Sequence, residues 1–343
     1  MRLSILNADK KKNSFIGLWI MMTIGCIILL LVMAFSVSQG AVQMPIPMVW
    51  EALFDFRAEN TEHLIVVDLR IPRVIASALV GASFAVSGAI MQGITRNPMA
   101  DSGLLGLNAG AGFALSLCLA FFPGAGYGKI ILFSFLGAAL GTFLVIFVAS
   151  FGKRKAMPMR IILAGAAVTA LLTALGQGIA LYFDVEQNIM FWTAGGVAGS
   201  NWQQIKMMLP WVGGALLGAF LLSPAISILS LGEDVAKGLG VNTVFINIMS
   251  SLVVLILAGA SVSVVGAVGF VGLVVPHLAR ALIGVDYRKI IPISAILGGL
   301  LMVVADLAAR MIRPPFEVPI GALTALMGVP FFLYLARNQR RAL

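Results

Sequence analysis

Thr243-Val-Phe-Ile-Asn-Ile-Met-Ser-Ser-Leu-Val-Val-Leu-Ile-Leu-Ala-Gly-Ala-Ser-Val-Ser-Val-Val-Gly-Ala-Val-Gly-Phe-Val-Gly-Leu-Val-Val-Pro-His-Leu-Ala-Arg-Ala-Leu-Ile283 is the stretch that decides the fold. It runs for 41 residues, and Arg280 is its only charged side chain. A helix crosses a bilayer with roughly 20 apolar residues, so the stretch is long enough for two crossings. Gly266, Gly269 and Pro276 interrupt it. Two readings fit: one long span followed by an irregular piece, or two spans joined by a tight turn. The choice sets the orientation of everything after residue 270.

Charge outside the stretch arbitrates. Apolar runs place spans at roughly 15–37, 74–93, 103–122, 130–151, 160–183, 207–228, 243–265, 270–283, 290–309 and 318–336. With ten spans and a cytoplasmic N-terminus, sixteen of the 23 Lys and Arg fall inside and seven outside. Nine spans would put twelve inside and eleven outside. Cytoplasmic loops carry the excess of Lys and Arg, so ten spans are favoured and both termini are cytoplasmic. The chain is therefore read as an all-α polytopic membrane protein, a single transmembrane domain over 1–343. Its 60% hydrophobic and 11% charged composition agrees, since soluble domains are about 25% charged. A β-barrel would alternate apolar and polar residues, and these runs do not. Spans 2–5 start from outside and spans 7–10 from inside, the parity of two inverted four-helix repeats.

The first apolar run, Phe15 to Val37 after Lys10-Lys11-Lys12, is too long for a signal-peptide core and lacks a clear cleavage site, so it is read as a retained span. Glycines stand in small-xxx-small spacing at Gly106/Gly110, Gly137/Gly141 and Gly214/Gly218. Such pairs let helix backbones approach in lipid.

One polar island stands out, Leu229-Ser-Leu-Gly-Glu-Asp-Val-Ala-Lys-Gly-Leu-Gly-Val241. Glu233, Asp234 and Lys237 lie on one side; Leu231, Val235 and Leu239 recur at i, i+4, i+8 on the other. This is a short amphipathic helix opened by Gly232 and closed by Gly238 or Gly240. It falls on the cytoplasmic side, as a place for something to dock.

Catalysis is poorly supplied. Cys26 and Cys118 lie in apolar runs, and His63 and His277 are the only histidines, so no metal, disulfide or hydrolase site is suggested. No phosphate-binding loop is present: Gly126-Tyr-Gly-Lys129 and Gly152-Lys153 lack both the spacing and the hydroxyl. The basic balance reflects span-flanking loops and not nucleic acid. Asp306 and Arg310, four apart, form either a local ion pair or part of a proton path. His277 beside Pro276 reads as a structural residue. Arg96-Asn-Pro-Met-Ala-Asp101 reads as a tight turn in which Asp101-Ser102 caps the helix that follows. Arg70, Arg73, Arg310 and Arg313 put positive charge at outer span ends, against the topology rule. They are either interfacial anchors or a basic surface for an acidic partner.

The sequence resembles the FecCD-type permease subunits of iron–siderophore and cobalamin ABC importers of type II. The resemblance rests on the joint order of Asp68-Leu-Arg-Ile-Pro-Arg73, Gly81-Ala with Ser87-Gly-Ala-Ile-Met-Gln92, Arg96-Asn-Pro-Met-Ala-Asp101, Leu105-Gly-Leu-Asn-Ala-Gly-Ala111, Leu231-Gly-Glu-Asp-Val-Ala-Lys-Gly-Leu-Gly240, Gly269-Phe-Val-Gly-Leu-Val-Val-Pro-His277 and Glu317-Val-Pro-Ile-Gly321 through Gly328-Val-Pro-Phe331. It extends from about Trp19 to Leu335. Met99 departs from the family's usual Leu, a volume-conserving change. The resemblance implies a pair of permeases, identical or paralogous, around a central pathway. It also implies two ATPase subunits on the cytoplasmic side and an extracytoplasmic substrate-binding protein. ATP and magnesium would sit in the ATPase, leaving this chain without a cofactor or catalytic residues. Residues 229–241 would be the coupling helix, with Gly232, Glu233, Asp234, Ala236, Lys237 and Gly238 facing the ATPase. Arg70, Arg73 and Arg310 match docking positions for the binding protein, and Arg313 does not. The family's pathway runs along spans 5 and 10; span 5 here carries Thr169, Thr173 and Gln177, which no motif marks as ligands. The expected cargo is an iron–siderophore complex, with cobalamin or haem as alternatives and an ion-coupled carrier as the competitor from another class.

Overall fold

The computed structural model describes residues 2–40, 44–151, 158–193, 196–314 and 316–339. Lys153, Arg154, Lys155, Arg340 and Arg341, which entered the charge count, lie outside the described residues. The α-helices in chain order are α1 (Arg2–Ser38), α2 (Ile46–Phe54), α3 (Thr61–Leu64), α4 (Ile71–Thr95), α5 (Leu107–Phe121), α6 (Tyr127–Ser150), α7 (Pro158–Tyr182), α8 (Glu186–Thr193), α9 (Trp202–Ser230), α10 (Glu233–Gly238), α11 (Thr243–Val265), α12 (Val271–Ile283), α13 (Tyr287–Met311) and α14 (Ile320–Gln339). Among the described residues, seven helical stretches are long and apolar enough to cross a membrane; α5, α12 and Ile320–Leu333 of α14 are shorter apolar helices.

The stretch 243–283 resolves into α11, a non-helical segment 266–270, and α12. Gly266 leaves the helix at φ 73 and Phe270 enters the next at φ 69. The segment is no tight turn at the bundle end. Val265 O accepts from Gly196 N–H at 2.8 Å, whereas Gly272 packs against Phe84 and Gly88, mid-length in α4. The chain therefore folds back into the bundle before α12 begins. Non-helical backbone at that depth is tolerable only when protein surrounds it, and Gly266 and Val268 are buried. With 13 residues, α12 is about 20 Å long, too short to cross the hydrocarbon layer by itself.

Span 2 begins earlier than expected. Its helix starts at α3 and runs through a π-helical stretch, Ile65–Arg70, into α4. Pro72 has no N–H to give to the preceding turn. The backbone widens there, and Ile71 N–H reaches Val66 O, five residues back. Asp101 does cap, but its side chain accepts from Ser102 N–H at 2.8 Å to open a 3-10 turn, Ser102–Leu105, and α5 starts only after Gly106 at φ 70.

Two of the three glycine pairs meet one another. Side chains on Gly110 or Gly141 would collide with the backbone of Gly137 or Gly106, so α5 and α6 cross in backbone contact. Gly81 and Gly298 do the same for α4 and α13. Gly214 faces open space and takes no part. The helix through α4 is 78% buried over its most apolar window and α1 only 11%, so α4 is the central post and α1 lies on the outside.

Candidate functional site

The chain's chemistry-bearing residues gather at two opposite ends of α4 and α13, with a cavity to one side. Arg73 opens α4 and Asp306 and Arg310 close α13; Thr95 and Tyr287 mark the other end of the same two helices.

At the Thr95 end, α10 forms as expected. Gly232 at φ 134 opens it and Gly240 at φ 78 follows it. Lys237 Nζ lies 2.8 Å from Glu233 Oε1, and that hydrogen bond holds the ammonium above its ordinary value. Ala236 is buried and anchors the turn, while Arg96 Nη1 would be 4.0 Å from a side chain on Gly232. The apolar side of the helix is not folded inward: Leu231 is 68% exposed and Leu239 64%, with Val235 beside them. Gly232, Glu233, Asp234 and Lys237 stand at the surface with them, and Gly238 has no atom within contact of a side chain placed on it. At the same end, Asp286 joins α9 to α13. Its carboxylate accepts from Ser227 Oγ at 3.0 Å and from Arg288 N–H at 3.0 Å, and pairs with the Arg288 guanidinium at 2.9 Å. Burial pushes this carboxyl up, but the Arg288 and Ser227 hydrogen bonds outweigh it and hold it below the usual range.

At the other end the arginines behave differently. Asp306 is fully buried between two of them. Arg73 Nε donates to its Oδ1 at 2.9 Å, and Arg310 Nη2 lies 3.1 Å from Oδ2. Arg73 also clamps Glu317 through both amino nitrogens, at 2.7 and 3.0 Å. Arg310 donates to Ser36 Oγ at 2.6 Å and to Gln39 O at 2.9 Å, and Arg70 donates to Val37 O at 2.8 Å. Arg70, Arg73 and Arg310 are each at most 9% exposed. The basic surface expected from four outward arginines is thus not presented as one; Arg313 alone of the four is exposed, over the Phe316 ring. The expected Asp306–Arg310 pair exists inside a larger network that ties α1, α4, α13 and the segment before α14. Sequence reasoning missed Glu317, Ser36 and Gln39; only Glu317 carried a signal, as the first residue of a quoted motif.

Between the ends, Gln92 donates to Gly272 O at 3.1 Å and accepts from Arg280, which fixes α12 against α4. His277 stacks edge-on to Phe331 of α14, with ring centres 5.5 Å apart, as a packing residue would. Among the described residues, no group of three potential ligands could hold a metal. To one side, α5, α7 and α8 enclose a cavity of about 560 Å³ that includes Thr173 and Gln177.

Residues 28–338 match the FecCD transport family. The chain belongs to the FecCD transport family. It is 48% identical over 329 residues to the iron(3+)-hydroxamate import system permease protein FhuB of Bacillus subtilis (strain 168), covering 95% of this chain and 85% of that one. It is 41% identical to the Fe(3+)-citrate import system permease protein YfmD of the same organism, over 97% of this chain and 98% of that one. Against the ferric enterobactin transport system permease protein FepD of Escherichia coli (strain K12), identity is 37% over 92% and 94%. Among solved structures, an inward-facing metal-chelate type ABC transporter superposes with a TM-score of 0.81 at 27% identity, over 93% of this chain and 99% of that one. The FecCD chain is accordingly a multi-pass transport protein of the bacterial cytoplasmic membrane.

Proposed function

We propose that this chain is the permease subunit of an ABC importer that carries an iron(III)–siderophore complex inward, driven by a separate ATPase. The observation that carries the reading is α10, a surface helix whose acidic and apolar sides both face outward in a chain with no phosphate loop. Leu231, Val235 and Leu239 would seat in a groove of the ATPase, and Glu233 and Asp234 would pair with basic residues there. ATP binding would then shift α10 and, through Ala236 and the end of α9, switch the permease pair. In this reading ten spans cross the membrane, both termini are cytoplasmic, and α4–α7 and α11–α14 are oppositely oriented repeats. The relatives named above act on iron chelates, which favours a siderophore over cobalamin or haem. Ion-coupled transport is disfavoured because Asp306, its candidate, is buried and clamped between Arg73 and Arg310.

The outer end belongs to the same reading. Three guanidinium groups face two carboxylates, leaving one net positive charge for an acidic binding protein. Arg70, Arg73 and Arg310 would shape that end by fixing residues 36–39 and Glu317. Arg70→Gln, assayed for binding-protein affinity beside thermal unfolding, tests it; unchanged affinity would remove Arg70 from docking. The main reading is tested by co-expression with the ATPase and binding protein and by uptake of radioactive iron chelate. Uptake that survives a hydrolysis-dead ATPase would overturn it.

A further inference from the structure

A narrower opening lies on another side of the bundle. α6 and α9 each pack along α11 and barely touch one another. The gap between them is a crevice of about 140 Å³, whose walls include Ile131, Leu132, Phe135, Met207, Trp211 and Val264. Met207 bounds it at Gly128, 3.5 Å from a side chain placed there. Seven residues further along α6, the Phe135 and Trp211 rings meet with centres 6.1 Å apart. Seven residues of helix make the crevice about 10 Å long. Its only polar side chains are Ser263, whose hydroxyl gives its proton to Ala260 O at 2.8 Å, and the Trp211 indole. Small-molecule sites run from about 300 to 1,000 Å³, so this space suits one extended apolar chain and no compact ligand.

Two lysines flank the crevice at the end where α6 and α9 begin. Lys129 shares the exposed face of Leu132, Leu136 and Leu140 on α6, and Lys206 shares that of Leu217 and Leu221 on α9. The ten-span count puts seven Lys and Arg outside, and five of them are engaged within the chain. Arg57 pairs with Glu51 and Asp55, Arg70, Arg73 and Arg310 enter the buried network, and Arg313 lies over Phe316. Among the described residues, Lys129 and Lys206 pair with no carboxylate; the Lys129 ammonium stands 5.4 Å from the centre of the Phe122 ring.

We propose that the crevice holds one acyl chain of an anionic phospholipid, with the lipid phosphate between Lys129 and Lys206. Lysine stems lie along apolar surface while their ammonium groups reach to headgroup level. Lysines outside run against the topology rule, and a phosphate held there accounts for both. A zwitterionic headgroup carries its own cation, so only a lipid of net negative charge gains from the two lysines. In the ten-span orientation this lipid belongs to the outer leaflet. The site goes beyond the importer reading and does not depend on it.

The test uses the full chain in phosphatidylcholine nanodiscs, with lipids brominated on the acyl chain as contact quenchers of indole fluorescence. Subtracting the signal of Trp211→Phe isolates Trp211 from the other tryptophans. Brominated phosphatidylglycerol should quench Trp211 at a mole fraction about tenfold lower than brominated phosphatidylcholine does, since each lysine near a membrane surface strengthens anionic-lipid binding roughly fivefold. Lys129→Gln with Lys206→Gln should abolish that preference, and Lys129→Arg with Lys206→Arg should keep it. Both lysines are exposed, so the unfolding midpoint of the double Gln variant in phosphatidylcholine should match the wild type. Equal quenching by the two lipids, a preference that survives the double Gln variant, or no quenching of Trp211 by either lipid would each overturn the proposal.

Discussion

The two ends of the bundle use charge in opposite ways. Around α10 the ion pairs are local and wet: Glu233 with Lys237 across one helical turn, Asp286 with Arg288 two residues away. At the Arg73 end they centre on the buried Asp306 and, apart from its one-turn pair with Arg310, are long-range. Arg73 reaches Asp306 and Glu317, residues 233 and 244 positions later in the chain. Exposed local pairs contribute little to stability and leave their helix free to meet a partner. A buried network does the reverse: breaking it strands a charge, so it locks the helices it joins. One end leaves its short helix accessible at the surface, and the other ties its helices together.

Asp306→Ala should break the fixed end most severely. It leaves Arg73 and Arg310 facing each other without their shared carboxylate. Removing one partner of a buried pair costs about 3–5 kcal/mol, enough to lower the thermal unfolding midpoint sharply and abolish uptake with it. A midpoint unchanged in detergent would show that the network is not a clamp. Glu233→Arg with Asp234→Arg should separate the two properties. Uptake and chelate-stimulated ATP hydrolysis are lost, while the unfolding midpoint and membrane insertion stay as in the wild type. Normal ATP-dependent uptake by this variant would remove α10 from coupling. Glu317→Gln should fall between them. Its carboxylate side chain is 40% exposed, so water screens its pairing with Arg73. Its loss should cost no more than about 1 kcal/mol, read as a small midpoint shift with uptake retained.

The same contrast explains what could be read from the chain. Apolar runs marked the crossing helices because lipid demands them. The amphipathic island at α10 was legible because its period of 3.6 is local. The glycine spacings of α5 and α6 were legible as packing signals, though nothing in the sequence said which pair would meet which, or that Gly214/Gly218 would meet neither. The burial of the outer arginines was not legible, for a physical reason. Asp68, Arg70 and Arg73 interrupt an apolar run and therefore look like a loop. They sit instead in and just after a π-helical turn, where Arg70 and Arg73 are satisfied by residues 36 to 39 and 300 to 320. A charge buried by distant partners has the same local sequence as a charge in water. The cavity was hidden likewise, since Asn108, Thr173 and Glu186 come from three helices that only packing brings together.

The smallest effect tests the α10 end at its base, through pH. Asp286 caps α13 and ties it to Ser227 of α9. Asp286→Asn keeps the cap, because Asn serves there as well as Asp, and removes only the charge. The folded-state carboxyl titrates below its ordinary value, so the carboxylate favours the fold above the unfolded value of about 3.9. That contribution fades as pH falls from there through the lower folded value. Wild type should therefore exceed Asp286→Asn in stability by less than about 1 kcal/mol near neutral pH. The two unfolding midpoints should converge as the pH drops below about 4. A gap that persists in acid would mean that Asp286 acts through shape and not through charge, and the local, titratable character assigned to this end would fail with it.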